Sequence, residues 1–80
     1  GLARAGIAEV PVATVVNFPE GAADPARVER ETRRALAAGA DEIDLVFPWR
    51  SFLAGDEAAA RAVLAAAQAR CHGRAPLKLI

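Results

Sequence analysis

Glu42-Ile43-Asp44-Leu45-Val46-Phe47, closed by Pro48, is the stretch on which the fold turns. It is short, rich in branched and aromatic side chains, and ended by a proline, all of which are strand signals. Strand side chains alternate between faces. Ile43, Leu45 and Phe47 therefore point one way, and Asp44 and Val46 the other. Upstream, Val10-Pro11-Val12-Ala13-Thr14-Val15-Val16-Asn17 is a second such run, stopped by Phe18-Pro19-Glu20-Gly21. Its nearly continuous apolar character is that of a strand covered on both faces, as in parallel sheets. Downstream, Leu77-Lys78-Leu79-Ile80 starts a third strand.

Helical patterns fill the gaps. Asp24-Pro25 offers a capping acid followed by proline at the first helical position. A helix is expected from there to about Ala38, with Gly39 as its left-handed terminator. Val28, Thr32, Ala35 and Leu36 share its inner face. Arg27, Arg30, Glu31 and Arg34 hold the wet side, with Arg27 and Glu31 one turn apart and Arg30 and Arg34 a like-charged pair. A loop is expected over Trp49 to Gly55. Asp56 then caps a second helix, Glu57 to Cys71, whose Ala60, Val63, Leu64, Ala67 and Cys71 form one buried stripe. Gly73 ends it.

The order is β-α-β-α-β, with strand starts about 30 and 35 residues apart, the size of βαβ units. Such units give parallel strands and right-handed crossovers. The fold class is α/β, and two architectures use these units: the doubly wound open sheet and the (β/α)8 barrel. The first βα turn carries no G-x-G-x-x-G and no G-K-[ST], which weakens a dinucleotide or P-loop reading.

Composition removes several function classes. Ten basic residues balance ten acidic ones across 80 residues. A nucleic-acid or anionic-membrane surface needs clustered excess positive charge. No apolar run approaches the ~18 residues of a membrane span, and no secretion signal shows. The single cysteine makes neither an internal disulfide nor a Cys-based zinc site. Apolar residues are 54% of the chain and 21 are alanine, which buries little area, so the core leans on a few Val, Leu, Ile and Phe. These features describe one small cytoplasmic domain, or a piece of a larger one.

Asp44 is the most informative candidate for chemistry. A mid-strand carboxylate on an interior face needs a cation or hydrogen-bond donors. Lys78, flanked by Leu77 and Leu79, occupies the matching position of the next strand. The alternative is a purely structural ion pair, or a carboxylate bonded to backbone. Asn17, Phe18 and Pro19 lie at the end of the first strand where ligands bind in both architectures, although Asn and Pro also serve turns. Trp49 and Arg50 reach the same rim, where Arg50 could clamp an anion or pair with Glu42, Asp56 or Glu57. Cys71 reads as a small buried thiol, and His72 as a residue favoured near a helix C-terminus.

Taken together, Val12-Ala-Thr-Val-Val-Asn17-Phe-Pro-Glu-Gly21, Glu31-Thr32, Gly39-Ala-Asp-Glu-Ile-Asp-Leu-Val-Phe-Pro-Trp-Arg50 and Leu77-Lys-Leu-Ile80 resemble the deoxyribose-phosphate aldolase family. The stretch Gly39 to Arg50 is the most specific part. Trp49 departs from the tyrosine common there. The resemblance implies a class I aldolase on a (β/α)8 TIM barrel, acting in deoxyribonucleotide catabolism. The reaction reversibly cleaves 2-deoxy-D-ribose 5-phosphate to D-glyceraldehyde 3-phosphate and acetaldehyde. A lysine Schiff base is the electron sink, and no metal or other cofactor is needed.

Residue by residue, the resemblance makes Asp44 the catalytic aspartate of the proton relay and Lys78 its supporting lysine. It places Val15 and Phe18 in the substrate pocket. The family's Schiff-base lysine lies in a later Lys-Thr-Ser-Thr-Gly motif, and a second lysine in a later Lys-Pro-x-Gly-Gly motif. Neither motif occurs in these 80 residues, and Lys78 is the sole lysine. The expectation is therefore an internal fragment of about three barrel strands, inactive alone. The implied partners are a phosphorylated sugar and further copies of the chain in a homo-oligomer, with no nucleic acid and no membrane. Two other readings stay open: another class I aldolase-type barrel, and a non-catalytic α/β module that self-associates.

Overall fold

The computed structural model describes residues 10–80. The stretch Gly1 to Glu9, in which the sequence carries little signal, lies outside them. The described elements are β1 (Ala13–Val16), α1 (Pro25–Ala37), β2 (Glu42–Leu45), α2 (Trp49–Leu53), α3 (Glu57–Cys71) and β3 (Leu77–Leu79). The three strands form one sheet in the order β1-β2-β3, and both pairings are parallel. This is the α/β class and strand direction expected from the sequence.

Local chemistry explains the boundaries. The Asp24 carboxylate accepts the Arg27 N–H at 3.1 Å, and Pro25 opens α1. The Asp56 carboxylate accepts the Ala59 N–H at 3.3 Å and caps α3. Each satisfies an amide that the first helical turn leaves without a partner. The strands are shorter than the apolar runs that contain them. Pro11 has no N–H to give a ladder, and Asn17 leaves the strand region with φ 63°.

One element departs from expectation. The sequence predicts a loop over Trp49 to Gly55, but Trp49–Leu53 is a short helix. Five residues are too few to show helical periodicity. The turn is held instead by aromatic packing. Phe47 and Trp49 have ring centroids 4.6 Å apart, and Phe52 lies 5.9 Å from Phe47.

Alternation along the strands separates two faces. Val16, Ile43 and Leu45 project from one face and are buried with Val28, Ala35 and Leu36 of α1 and Val63, Ala67 and Cys71 of α3. Because α1 and α3 pack on each other and on this same core, both crossovers have the same hand. The opposite face carries Val15, Asp44 and Lys78. No described helix covers it. Among the described residues no helix is long and apolar enough to cross a membrane.

Candidate active site

The uncovered face gathers the residues singled out from the sequence. Val15 is the register partner of Asp44, and Asp44 that of Lys78. The three therefore form one row across β1, β2 and β3, with neighbours about 4.8 Å apart along the hydrogen-bonding direction. Alternation alone assigns faces; the register makes Asp44 and Lys78 neighbours in the sheet, but the expected ion pair between them does not form among the described residues. Asp44 is half-buried, Val15 and Lys78 are exposed. Asp44 Oδ1 is buried and has no hydrogen-bond partner among the described residues.

Glu42 joins this face without a sequence expectation for it. It lies two residues before Asp44 on the same face, and its carboxyl is held above the usual glutamate range. The largest cause is a hydrogen bond with the Asp44 carboxyl, followed by burial and the Asp44 charge, while Lys78 pulls the other way. The i, i+2 spacing on a strand was the available signal.

Phe18 stands apart from this row, on the turn that leaves β1. It is 65% exposed, so its ring is available to a ligand. The turn is built around Asn17, which is fully buried. Asn17 Nδ2 donates to Ala22 O at 2.8 Å and to Val46 O at 3.1 Å, tying the turn to the end of β2. The Asn17 amide donates to Glu31 Oε1 at 2.6 Å. Arg27 completes the frame. It donates to Glu31 Oε2 at 3.0 Å and to Phe18 O at 2.8 Å, and it pairs with Glu20 at 3.1 Å. Burial alone would raise the Glu31 carboxyl. The Asn17 N–H and the Arg27 guanidinium outweigh it and hold Glu31 below the usual range. The Phe18–Pro19 peptide bond is cis.

At this rim a cleft of about 420 Å³ is lined by Pro19, Glu20, Gly21, Ala22, Arg50 and Ser51. Arg50 makes no ion pair among the described residues, with Glu42, Asp56, Glu57 or any other acid. Trp49 is turned to the last residue, its Nε1 donating to Ile80 O at 3.2 Å. Cys71 and His72 line a separate cavity near the start of β3, at the other end of the strands from the rim. Burial pushes the Cys71 thiol up, which keeps it protonated and poorly nucleophilic.

No family model matches the chain. The sequence is 52% identical over 69 residues to the deoxyribose-phosphate aldolase of Agrobacterium fabrum strain C58, covering 86% of the chain. The chain spans only 27% of the length of that relative. Its fold superposes, with a TM-score of 0.77 and 33% identity, on the crystal structure of a Toxoplasma gondii ME49 protein assigned as a deoxyribose-phosphate aldolase. That match covers 88% of this chain and 26% of the other. Sequence and fold thus both bear out the resemblance to deoxyribose-phosphate aldolase, and the parallel βα units are those of a stretch of a (β/α)8 barrel.

Proposed function

We propose, from this likeness to deoxyribose-phosphate aldolase, that the sequence serves an enzyme that reversibly cleaves 2-deoxy-D-ribose 5-phosphate to D-glyceraldehyde 3-phosphate and acetaldehyde. The row Val15–Asp44–Lys78 is the observation that carries this reading. A carboxylate flanked by an apolar residue and an ammonium group is suited to moving protons next to a reacting carbon. Asp44 takes and returns the proton, Lys78 balances its charge, and Val15 and Phe18 meet the apolar part of the substrate.

The chemistry needs a neutral lysine amine. It attacks the substrate carbonyl and loses water to form an iminium, which accepts the electron pair of the breaking carbon–carbon bond. Lys78 is not in the family's Schiff-base motif, so that amine comes from outside these 80 residues. The partner is a phosphorylated sugar, the assembly a homo-oligomer, and the setting the cytoplasm.

Borohydride trapping in the presence of deoxyribose 5-phosphate tests the reading. A longer polypeptide containing this sequence and the Schiff-base motif should gain the mass of the reduced adduct. The 80-residue chain should not. Trapping on Lys78 in the short chain would overturn the division of roles, and a longer polypeptide that is never trapped would overturn the aldolase reading.

A further inference from the structure

One guanidinium on α1 grips the turn that leaves β1. Arg27 Nη2 donates to Phe18 O at 2.8 Å, and Nη1 pairs with Glu20 Oε2 at 3.1 Å. Its Nε donates to Glu31 Oε2 at 3.0 Å, one helical turn further on. Glu31 Oε1 in turn takes the Asn17 N–H at 2.6 Å. These contacts close a circuit. The Asn17 N–H and the Phe18 C=O are the two ends of one dipeptide, and Glu31 holds the first while Arg27 holds the second.

That dipeptide needs holding. Asn17 has φ 63°, a sparsely populated region that Asn tolerates better than most and that persists where the surroundings over-determine it. Phe18 follows directly, exposed at the end of the strands where ligands of both α/β architectures bind. A guanidinium presents its donors in a rigid planar fork, so three acceptors around it fix the direction of the turn. A lysine ammonium carries the same charge without the fork.

We propose that Arg27 and Glu31 are positioning residues, whose hydrogen-bond circuit around Asn17 and Phe18 sets where the Phe18 side chain stands for the substrate. The meeting of Phe18 with substrate rests on the aldolase reading above; the hold of Arg27 on the turn does not. Both residues act through Phe18, so their loss should appear in substrate binding and not in the chemical step. A frame that served stability alone would instead be felt across the whole sheet.

The experiment has two arms. In the 80-residue chain, amide hydrogen exchange compares the wild type with Arg27→Lys. Protection should be lost at Asn17 and at Gly21, whose N–H donates to Asn17 O at 3.0 Å, and kept at Val46, whose N–H donates to Val16 O across the sheet. An equal loss at Val46, or none at Asn17, would overturn the proposal. Wild-type Asn17 exchanging as fast as an open loop would overturn it even if the variant fails to fold. In an active polypeptide containing this sequence, Arg27→Lys should raise KM for deoxyribose 5-phosphate by ~10-fold, the size of one displaced apolar contact, with kcat held within a few-fold. In a Phe18→Ala background the same change should add little, because residues acting through one contact are not additive. Full additivity, or a fall in kcat at unchanged KM, would sink the positioning role. A polypeptide without turnover would remove the aldolase reading and leave the exchange arm to decide the hold of Arg27 on the turn.

Discussion

Gly21 lies so close to the end of β2 that a Cβ added to it would stand 2.9 Å from the carbonyl oxygen of Phe47. The rim turn is thereby pressed against the backbone that leads from Asp44 to Trp49. Gly21 also has φ +66°, a conformation that side chains disfavour.

Gly21→Ala should therefore destabilise the fold by roughly 1–3 kcal/mol, from strain in the left-handed region and displacement of backbone. Gly55 has φ +96° but nothing within 4 Å of an added Cβ, so Gly55→Ala should cost less. Chemical denaturation of the two variants checks the order. Equal losses would show that the contact with Phe47 O contributes nothing.

Glu31 should make stability depend on acid. Its carboxyl is held below the usual range in the folded state, burial being outweighed by the Asn17 N–H and Arg27. A group depressed on folding contributes stability above its unfolded value, and that contribution disappears as pH falls through the folded value. The wild type should thus lose stability as pH drops below about 4.3. Glu31→Gln should be less stable at neutral pH and lose less on acidification. Thermal melts at several pH values read this directly, and parallel curves for both proteins would contradict it.

In an active polypeptide containing this sequence, Asp44→Asn should slow aldol cleavage by ~10²–10⁴, the usual contribution of a proton-transfer group. The substitution keeps the shape of the row Val15–Asp44–Lys78 and removes only the ionisable group. Turnover within a few-fold of the parent would take Asp44 out of the mechanism.

The 80-residue chain on its own should associate. Among the described residues the sheet ends at β1 on one side and β3 on the other, and exposed strand edges template pairing. Val15 and Leu79 are 44% and 40% exposed, and Ile80 45%. Burial of such surface contributes about 25 cal/mol per Å² before the entropy of association is subtracted. Sedimentation at micromolar concentration should show species larger than a monomer, and a folded, stable monomer would refute this.

Much of the fold is legible in the sequence because its signals are local. The caps Asp24 and Asp56, the stripe Ala60–Val63–Ala67–Cys71, and the alternation of Ile43 and Leu45 with Asp44 each act within a few residues. The short helix Trp49–Leu53 was not legible, since it is held by rings of Phe47, Trp49 and Phe52 and not by periodicity. Alternation also said which way Asp44 and Lys78 face, but not that they stand abreast. Register depends on how the βα loops seat the strands. Glu42 is different: it stands two residues before Asp44 on one strand, so alternation already puts both on the same face. Asn17 read as turn chemistry, and it does shape a turn. Its full burial and its hold on Val46 are tertiary facts.

Arg27 reaches Phe18 O, Glu20 and Glu31, while Glu31 in turn receives the Asn17 amide. The rim turn is thus harnessed to the first two turns of α1 as well as to the sheet beneath it. A tilt of that helix would carry the Phe18 backbone with it, while Asp44, seated on the central strand, stayed in place. The distance between the Phe18 turn and Asp44 is then adjustable from the solvent side of a helix. Through this linkage, surface changes on α1 can shift the Phe18 turn without touching the strand that carries Asp44.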